Sequence, residues 1–290
     1  MKILITGANG FIGKTLSKEL SRSNEVFAMA RNFNQAIGAD GIVQISHDMT
    51  QPLDYADLPN KIDAVIHLAQ SSQYRNFPAG MRDMISVNVL GLTDILDYAK
   101  SADCDYFLNF SSGSVYDPSQ ADQSEVVNIA PKSAYPLTKQ ISENIVGLYS
   151  EFFTTLSLRL FFPYGPRQEG MLVPNLINSV KNQNAINLQG GEGGLEICPI
   201  YVDDINEICG RLLTEKPSGI MNVGGYEQLR LEAIGQEIGK VLGISPNFAI
   251  DATATPALFR PSLDKMKSLM PDFKQTVFQE GIRKVIDQTS

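Results

Sequence analysis

The chain predicts an α/β fold: a doubly wound parallel sheet with a smaller C-terminal α/β region. Two observations carry this. Up to residue 162, short apolar runs alternate with stretches of helical periodicity, the pattern of successive βαβ units. Beyond Pro163 the texture changes, with Pro163, Gly165, Pro166, Gly170 and Pro174 in close succession. The expected division is therefore 1–162 for the sheet domain and 163–290 for the smaller one.

Each element follows from its residues. Ile3–Thr6 reads as the first strand, and Phe11–Ser23 as a helix with Ile12, Leu16 and Leu20 on one face. Val26–Ala30 and Ile42–Ile45 read as the second and third strands. Ala64-Val65-Ile66-His67-Leu68, apolar but for His67, suits a strand covered on both faces. A helix over about 82–101 leads into the strand Tyr106–Phe110. The next helix carries Tyr135 and runs to Phe152, with Pro136 tolerable in its first turn, where backbone N–H groups have no helical partner. Thr155–Phe161 is a sixth strand. Gly190–Gly194 marks a turn, Ile220–Val223 is expected to return to the first sheet, and the remainder to Ser290 reads as helices joined by short loops.

Composition narrows the function classes. A net charge of −8 argues against nucleic acid or an anionic membrane surface as the main partner. Cys104, Cys198 and Cys209 are an odd set without metal-type spacing, which suits reduced thiols. With only His47 and His67, a metal site or a His-based triad is not expected. The opening Lys2-Ile3-Leu4-Ile5 is too short and too early for a signal peptide, and no apolar run reaches membrane-spanning length. A soluble, cytoplasmic protein is the expectation.

Two clusters carry chemistry. Thr6-Gly7-Ala8-Asn9-Gly10-Phe11-Ile12-Gly13 joins the first strand to the first helix, where a dinucleotide loop belongs. Gly7 permits the tight turn, Gly10 lets backbone approach a pyrophosphate, and Gly13 allows close helix packing. The helix N-terminus adds free N–H groups and a positive dipole end. Tyr135 and Lys139 stand four residues apart, hence on one face of a helix. An ammonium beside a phenol favours the phenolate, so Tyr135 is expected to exchange protons near neutral pH. After the second strand no carboxylate follows; the chain reads Ala30-Arg31-Asn32. Arg31 there suits the 2′-phosphate of NADP, so NADP is favoured over NAD. Asp48, after the third strand, is a candidate for the adenine amino group or, alternatively, a local cap.

Through these residues and the motifs around them, the chain resembles the extended short-chain dehydrogenase/reductase family, the NAD-dependent epimerase/dehydratase group, over nearly its whole length. The ordered motifs are TGANGFIG (6–13), HLAQ (67–70), VNVLGL (87–92), FSSGSVY (110–116), YPLTK (135–139), LRLFFPYGP (158–166), PIYVDD (199–204) and MNVGG (221–225). The resemblance implies a Rossmann-type sheet and a C-terminal substrate domain. It makes Tyr135 the proton donor or acceptor, Lys139 the group on the nicotinamide ribose, and Ser112 the hydroxyl on the substrate oxygen. Asn9, Phe11, Ile12, Leu68, Ala69 and the Pro163 backbone would line the cofactor. Asn88 would be structural. A homodimer through the helices near 82–101 and 135–152 is implied as well.

Departures from the family pattern narrow the reaction. Sugar-nucleotide 4,6-dehydratases carry an Asp-Glu pair where this chain has Gly113 and Ser114, and decarboxylating relatives need an acid that is missing here. The Cys and His of 3,5-epimerase/reductases match Ser114 and Arg167. Among substrate positions, Ser112, Ser114, Phe162 and Arg260 are candidates; Phe162 replaces a family Asn, Ile197 replaces a diphosphate-gripping Arg, and Arg260 either pairs with phosphate or with Asp264. The implied function is an NAD(P)-dependent enzyme acting on a secondary alcohol or ketone of a nucleotide-linked sugar, with a reductase favoured. A 4-epimerase retaining NAD and an NADP reductase of a non-nucleotide carbonyl are alternatives, and a non-catalytic dinucleotide sensor is a remote one.

Overall fold

Strand and helix alternate from the second residue of the computed structural model, which describes residues 1–33, 37, 41–119, 123–190 and 193–288. The first strand, β1 (Lys2–Thr6), feeds helix α1 (Phe11–Leu20), and β2 (Glu25–Ala30) and β3 (Ile42–Ser46) follow. Helix α1 stops three residues before the expected Ser23, where Asn24 Nδ2 donates to the Leu20 carbonyl at 2.9 Å. Next come β4 (Ala64–His67), α2 (Met81–Ile85) and α3 (Leu92–Ser101), the two helices joined without a break by a wider π-helical turn over Ser86–Gly91. Then follow β5 (Tyr106–Ser112), α4 (Ala134–Leu148) and β6 (Thr154–Leu160).

These strands build a seven-stranded sheet with the order β11-β6-β5-β4-β1-β2-β3, in which β11 (Gly219–Val223) takes the edge beside β6. From β3 through β5 every pairing is parallel. Ala64, Val65, Ile66 and His67 are all buried, as a strand covered on both faces requires. On one face Leu4, Val65 and Phe107 meet Leu92, Ile95, Leu96 and Ala99 of α3 and Val146 of α4. Each such large apolar side chain contributes about 1.5–3 kcal/mol on burial. Gly91 lets the helix approach closely: a Cβ there would lie 2.6 Å from the Met49 carbonyl.

The chain forms two compact units whose segments interleave. The first comprises Met1–Val115, Asn128–Arg159 and Asn206–Met221; the second comprises Tyr116–Val127, Leu160–Ile205 and Asn222–Ser290. In the second unit, β7 (Pro163–Tyr164) pairs with β10 (Ile200–Tyr201), and β9 (Glu196–Ile197) pairs antiparallel with β12 (Leu229–Arg230). Strand β8 (Ile186–Gln189) pairs parallel with β13 (Phe248–Asp251). Helices α5 (Leu172–Lys181), α7 (Leu231–Leu242) and α9 (Phe278–Asp287) close on one apolar cluster, each presenting a face at helical spacing, as with Phe278, Ile282, Val285 and Ile286. Two helices complete the list, α6 (Val202–Glu215) and α8 (Asp264–Leu269).

The reading of the C-terminal stretch as helices and short loops needs correction. It also contains β12 and β13, which apolar alternation could not reveal, because β13 is largely exposed and Ile250 is 66% accessible.

Candidate active site

The glycine loop is built as its spacing predicts. Gly7 adopts φ +68°, which only glycine holds without strain, and a Cβ on it would sit 2.8 Å from the Ala69 amide nitrogen. Thr6 ties this corner together: its Oγ1 accepts from the Ala69 N–H at 3.2 Å and meets His67 Nδ1 at 3.0 Å. Leu68 and Ala69 are thereby held against the loop, with Leu68 N–H donating to the Thr6 carbonyl at 3.2 Å. A Cβ on Gly13 would approach the Gly7 carbonyl to 2.3 Å. Gly10 caps α1 without a side-chain hydrogen bond, and Lys14 N–H donates to its carbonyl. The amides of Phe11, Ile12 and Gly13 precede that bond and are the orphan donors of a helix start. A tight backbone concavity with free donors fits the pyrophosphate of a dinucleotide. Asn9 Nδ2 donates to the Asn32 carbonyl at 2.9 Å, fixing the loop to the end of β2.

Arg31 is exposed just after β2. The Asp48 carboxyl is held below its usual range, first by the Thr50 backbone N–H, with help from the Thr50 hydroxyl and the charge of Arg31. Its Oδ1 accepts from both Thr50 groups, at 3.0 and 2.9 Å, so Asp48 caps a local turn. Of the chain between Arg31 and β3, residues 34–36 and 38–40 lie outside the described residues.

The residues expected to do chemistry meet at the C-terminal end of β5. Ser112 closes that strand, and its Oγ lies 2.9 Å from Ser114 Oγ. Tyr135 is the second residue of α4; its hydroxyl donates to Gln70 Oε1 at 3.0 Å, and the Ser112 hydroxyl is near enough to favour its phenolate. Lys139, one turn on, is buried; its Nζ donates to the Phe110 carbonyl at 2.7 Å and lies 5.9 Å from the Tyr135 ring centre. Burial pushes the Lys139 ammonium down to about 8, opposed by Glu143. Burial likewise raises the Tyr135 phenol to about 12, opposed by the Ser112 hydrogen bond. The expected lowering of the phenol by its neighbouring ammonium is thus not present in the protein alone. Desolvation sets the direction, and the phenol is held as a proton donor.

Beneath Lys139 lies an ion pair that the motifs do not announce. Glu143, one further turn along α4, accepts from Arg159 Nε at 3.0 Å and Nη2 at 2.8 Å, and from Ser111 Oγ at 2.5 Å. Both side chains are almost fully buried. Asn88, on the π-helical turn, accepts the Ser71 N–H at 2.8 Å and donates to Thr138 Oγ1 at 2.9 Å. Thr138 Oγ1 in turn donates to the Tyr135 carbonyl. Asn88 therefore ties the loop after β4 to the start of α4.

The remaining candidates belong to the second unit. Phe162 holds φ +43°, the left-handed region that Asn tolerates and a bulky aromatic does not favour. Its ring packs against Phe259 at 5.2 Å. The Pro163 carbonyl accepts from Gln168 Nε2 at 2.8 Å. Arg260 does not pair with Asp264: it makes a two-point ion pair with Glu196 at 2.5 and 2.7 Å, while Asp264 accepts from Ser262. Glu196 also receives Arg230 Nε at 3.1 Å, and the two guanidiniums hold its carboxyl low. Ile197 is fully buried in the apolar cluster of this unit.

Sequence reasoning missed Gln70, Tyr74, Glu143 and Glu196 as site residues. Glu143 carried a signal, standing at i+4 from Lys139 on a known helix face. Gln70, Tyr74 and Glu196 are joined to their partners by 61 to 65 residues of intervening chain and carried none.

The family model described as the NAD dependent epimerase/dehydratase family matches residues 3–224. The chain is 25% identical over 305 residues to UDP-glucuronic acid decarboxylase 1 of Xenopus tropicalis, across 98% of this chain and 71% of that one. It shares its fold with a UDP-glucuronic acid 4-epimerase from Bacillus cereus, solved with UDP-glucuronic acid and NAD, at a TM-score of 0.87 and 24% identity over 99% and 98% of the two chains. A UDP-N-acetylglucosamine 4-epimerase from Methanobrevibacter ruminantium M1, solved with UDP-N-acetylmuramic acid, matches at a TM-score of 0.88 and 20% identity over 99% and 97%.

Proposed function

The chain belongs to the NAD dependent epimerase/dehydratase family, and from that premise we propose that it is a nucleotide-sugar 4-epimerase that uses NAD. The single observation behind this reading is the Ser112–Tyr135–Lys139 cluster at the end of β5, with Gly113 and Ser114, rather than acids, beside Ser112. Such a set suits reversible removal of hydrogen from a secondary alcohol and lacks the added acid and base that elimination needs.

Gly7, Gly10, Gly13, the α1 amides and Leu68–Ala69 would hold the cofactor, which would supply hydride acceptance and donation when bound. Tyr135 takes the proton of the substrate hydroxyl as the ketone forms and returns it to the new alcohol. Ser112 donates a hydrogen bond to the same oxygen, and Ser114 orients the Ser112 hydroxyl. Lys139 favours the phenolate electrostatically once the site is filled and binds the nicotinamide ribose. The two solved structures named above are 4-epimerases of UDP-sugars, one of them solved with NAD, which supports both the substrate class and the reaction. A homodimer through α3 and α4 belongs to the same reading.

A second reading, an NADP-dependent reductase, is favoured by Arg31. The opposing consideration is Asp48, whose charge already attracts Arg31 and would repel a 2′-phosphate. Titrating the protein with each cofactor decides between them. Tighter binding of NAD is expected, and a preference for NADP of tenfold or more would replace the epimerase with the reductase.

A further inference from the structure

Gln70 holds a position that the proposed chemistry does not use. Its Oε1 is the acceptor for the Tyr135 hydroxyl at 3.0 Å, although the two residues are 65 positions apart. The placement is built rather than incidental. The next residue, Ser71, is pinned twice: its N–H donates to Asn88 Oδ1 at 2.8 Å, and its Oγ donates to Asp83 Oδ2. Asn88 is bonded to Thr138, so the same side chain fixes the backbone beside Gln70 and the helix turn that carries Tyr135. From the same loop Tyr74 lays its ring 5.3 Å from that of Tyr135, with the Arg75 guanidinium over the Tyr74 ring at 5.1 Å.

We propose that Gln70 is a positioning residue for Tyr135, the acceptor that holds the phenol proton in the resting enzyme and that the reacting oxygen displaces when substrate binds. The inference rests on Tyr135 being the group that exchanges the proton. A hydrogen bond accepted from the neutral phenol favours the protonated form. Gln70 therefore keeps Tyr135 neutral and aimed along one direction at rest; that proton passes to solvent when Lys139 favours the phenolate in the filled site, before Tyr135 takes the proton of the substrate hydroxyl. Its amide carries no charge of its own to titrate. The other groups facing this phenol are Ser112, the Lys139 ammonium, and Tyr74 backed by Arg75. Behind Lys139 stand Glu143 and His67, the latter kept neutral by burial, which drives its pKa to about 3. Asp83 bonds to Ser71 in the same loop. None of them takes the phenol proton as Gln70 does.

Tyrosine labelled isotopically at Cζ distinguishes phenol from phenolate by NMR, and Tyr135→Phe identifies the Tyr135 signal among the ten tyrosines. The midpoint is followed in the cofactor-loaded and the cofactor-free protein, with melting temperatures confirming that each variant is folded. Gln70→Glu, an acceptor with a negative charge, is expected to raise the Tyr135 midpoint by about one pH unit or more. Gln70→Leu, whose side chain accepts nothing, is expected to lower it below that of the unmodified chain. A merely structural Gln70 would move melting temperature and leave the midpoints together, so coincident midpoints in the three folded proteins overturn the proposal. Separated midpoints without conversion of any nucleotide sugar would sink the functional reading and leave this one standing. Conversion with coincident midpoints would do the reverse.

Discussion

At the scale of single residues, Lys139 couples the site to pH. Its ammonium is buried on α4, and its pKa falls from the ordinary 10.5 to about 8. Between these values the unfolded chain binds a proton that the folded chain has released, so this residue makes stability rise with pH across that window. Below about pH 8 both forms are protonated, and the folded state carries the full cost of the desolvated charge. Lys139→Met is therefore expected to be more stable than the unmodified chain at neutral pH, by an advantage that shrinks as pH climbs from about 8 to 10.5. Urea unfolding of both proteins across that range measures it, and a gap independent of pH would contradict the assignment. Tyr135 and Lys139 could be read from their spacing, because a helix turn is a local rule. Their protonation could not, because burial depends on strands and loops distant in the chain. Arg260 teaches the same lesson: Asp264 was four residues away and Glu196 sixty-four, yet the ion pair is with Glu196.

At the scale of elements, the helices flanking the sheet explain more than their periodicity promised. The helix expected over about 82–101 runs without a break from Met81 to Ser101, but its π-helical turn places Asn88 to bridge Ser71 and Thr138. Such turns recur at functional sites, and no simple apolar pattern encodes them. The same region leaves an uncovered apolar surface. Leu148 is 73% exposed, and Leu90, Leu137 and Phe152 are exposed too, on α4, the turn just after it and the segment leading into α3. Large exposed apolar groups on these helices and the turns beside them suit association, in keeping with a dimer through them. Leu148→Glu is expected to yield a monomer, with sedimentation velocity as the measurement. An unmodified chain that sediments as a monomer at micromolar concentration would remove the proposal.

For the whole molecule, the seven-stranded sheet was legible because parallel βαβ units impose a strong period and because the loop after β1 has few solutions. The return of Ile220–Val223 to the sheet was expected, and β11 takes the edge beside β6. What stayed hidden was the rest of the interleaving: Tyr116–Val127 belongs to the second unit, and Asn206–Met221 to the first. Among the described residues no helix is long and apolar enough to cross a membrane. The account's central claim is that Tyr135, with Ser112 and Lys139, moves a proton during reversible hydrogen removal from a nucleotide-linked sugar. Its most direct test is incubation of the purified protein and Tyr135→Phe with NAD and a panel of UDP- and dTDP-sugars, separating each sugar from its C4 epimer. The account predicts interconversion of one epimer pair by the unmodified protein, slowed by about 10²–10⁴-fold in Tyr135→Phe while cofactor still binds. Equal rates in the two proteins, or no conversion of any sugar in the panel with either NAD or NADP, would contradict it.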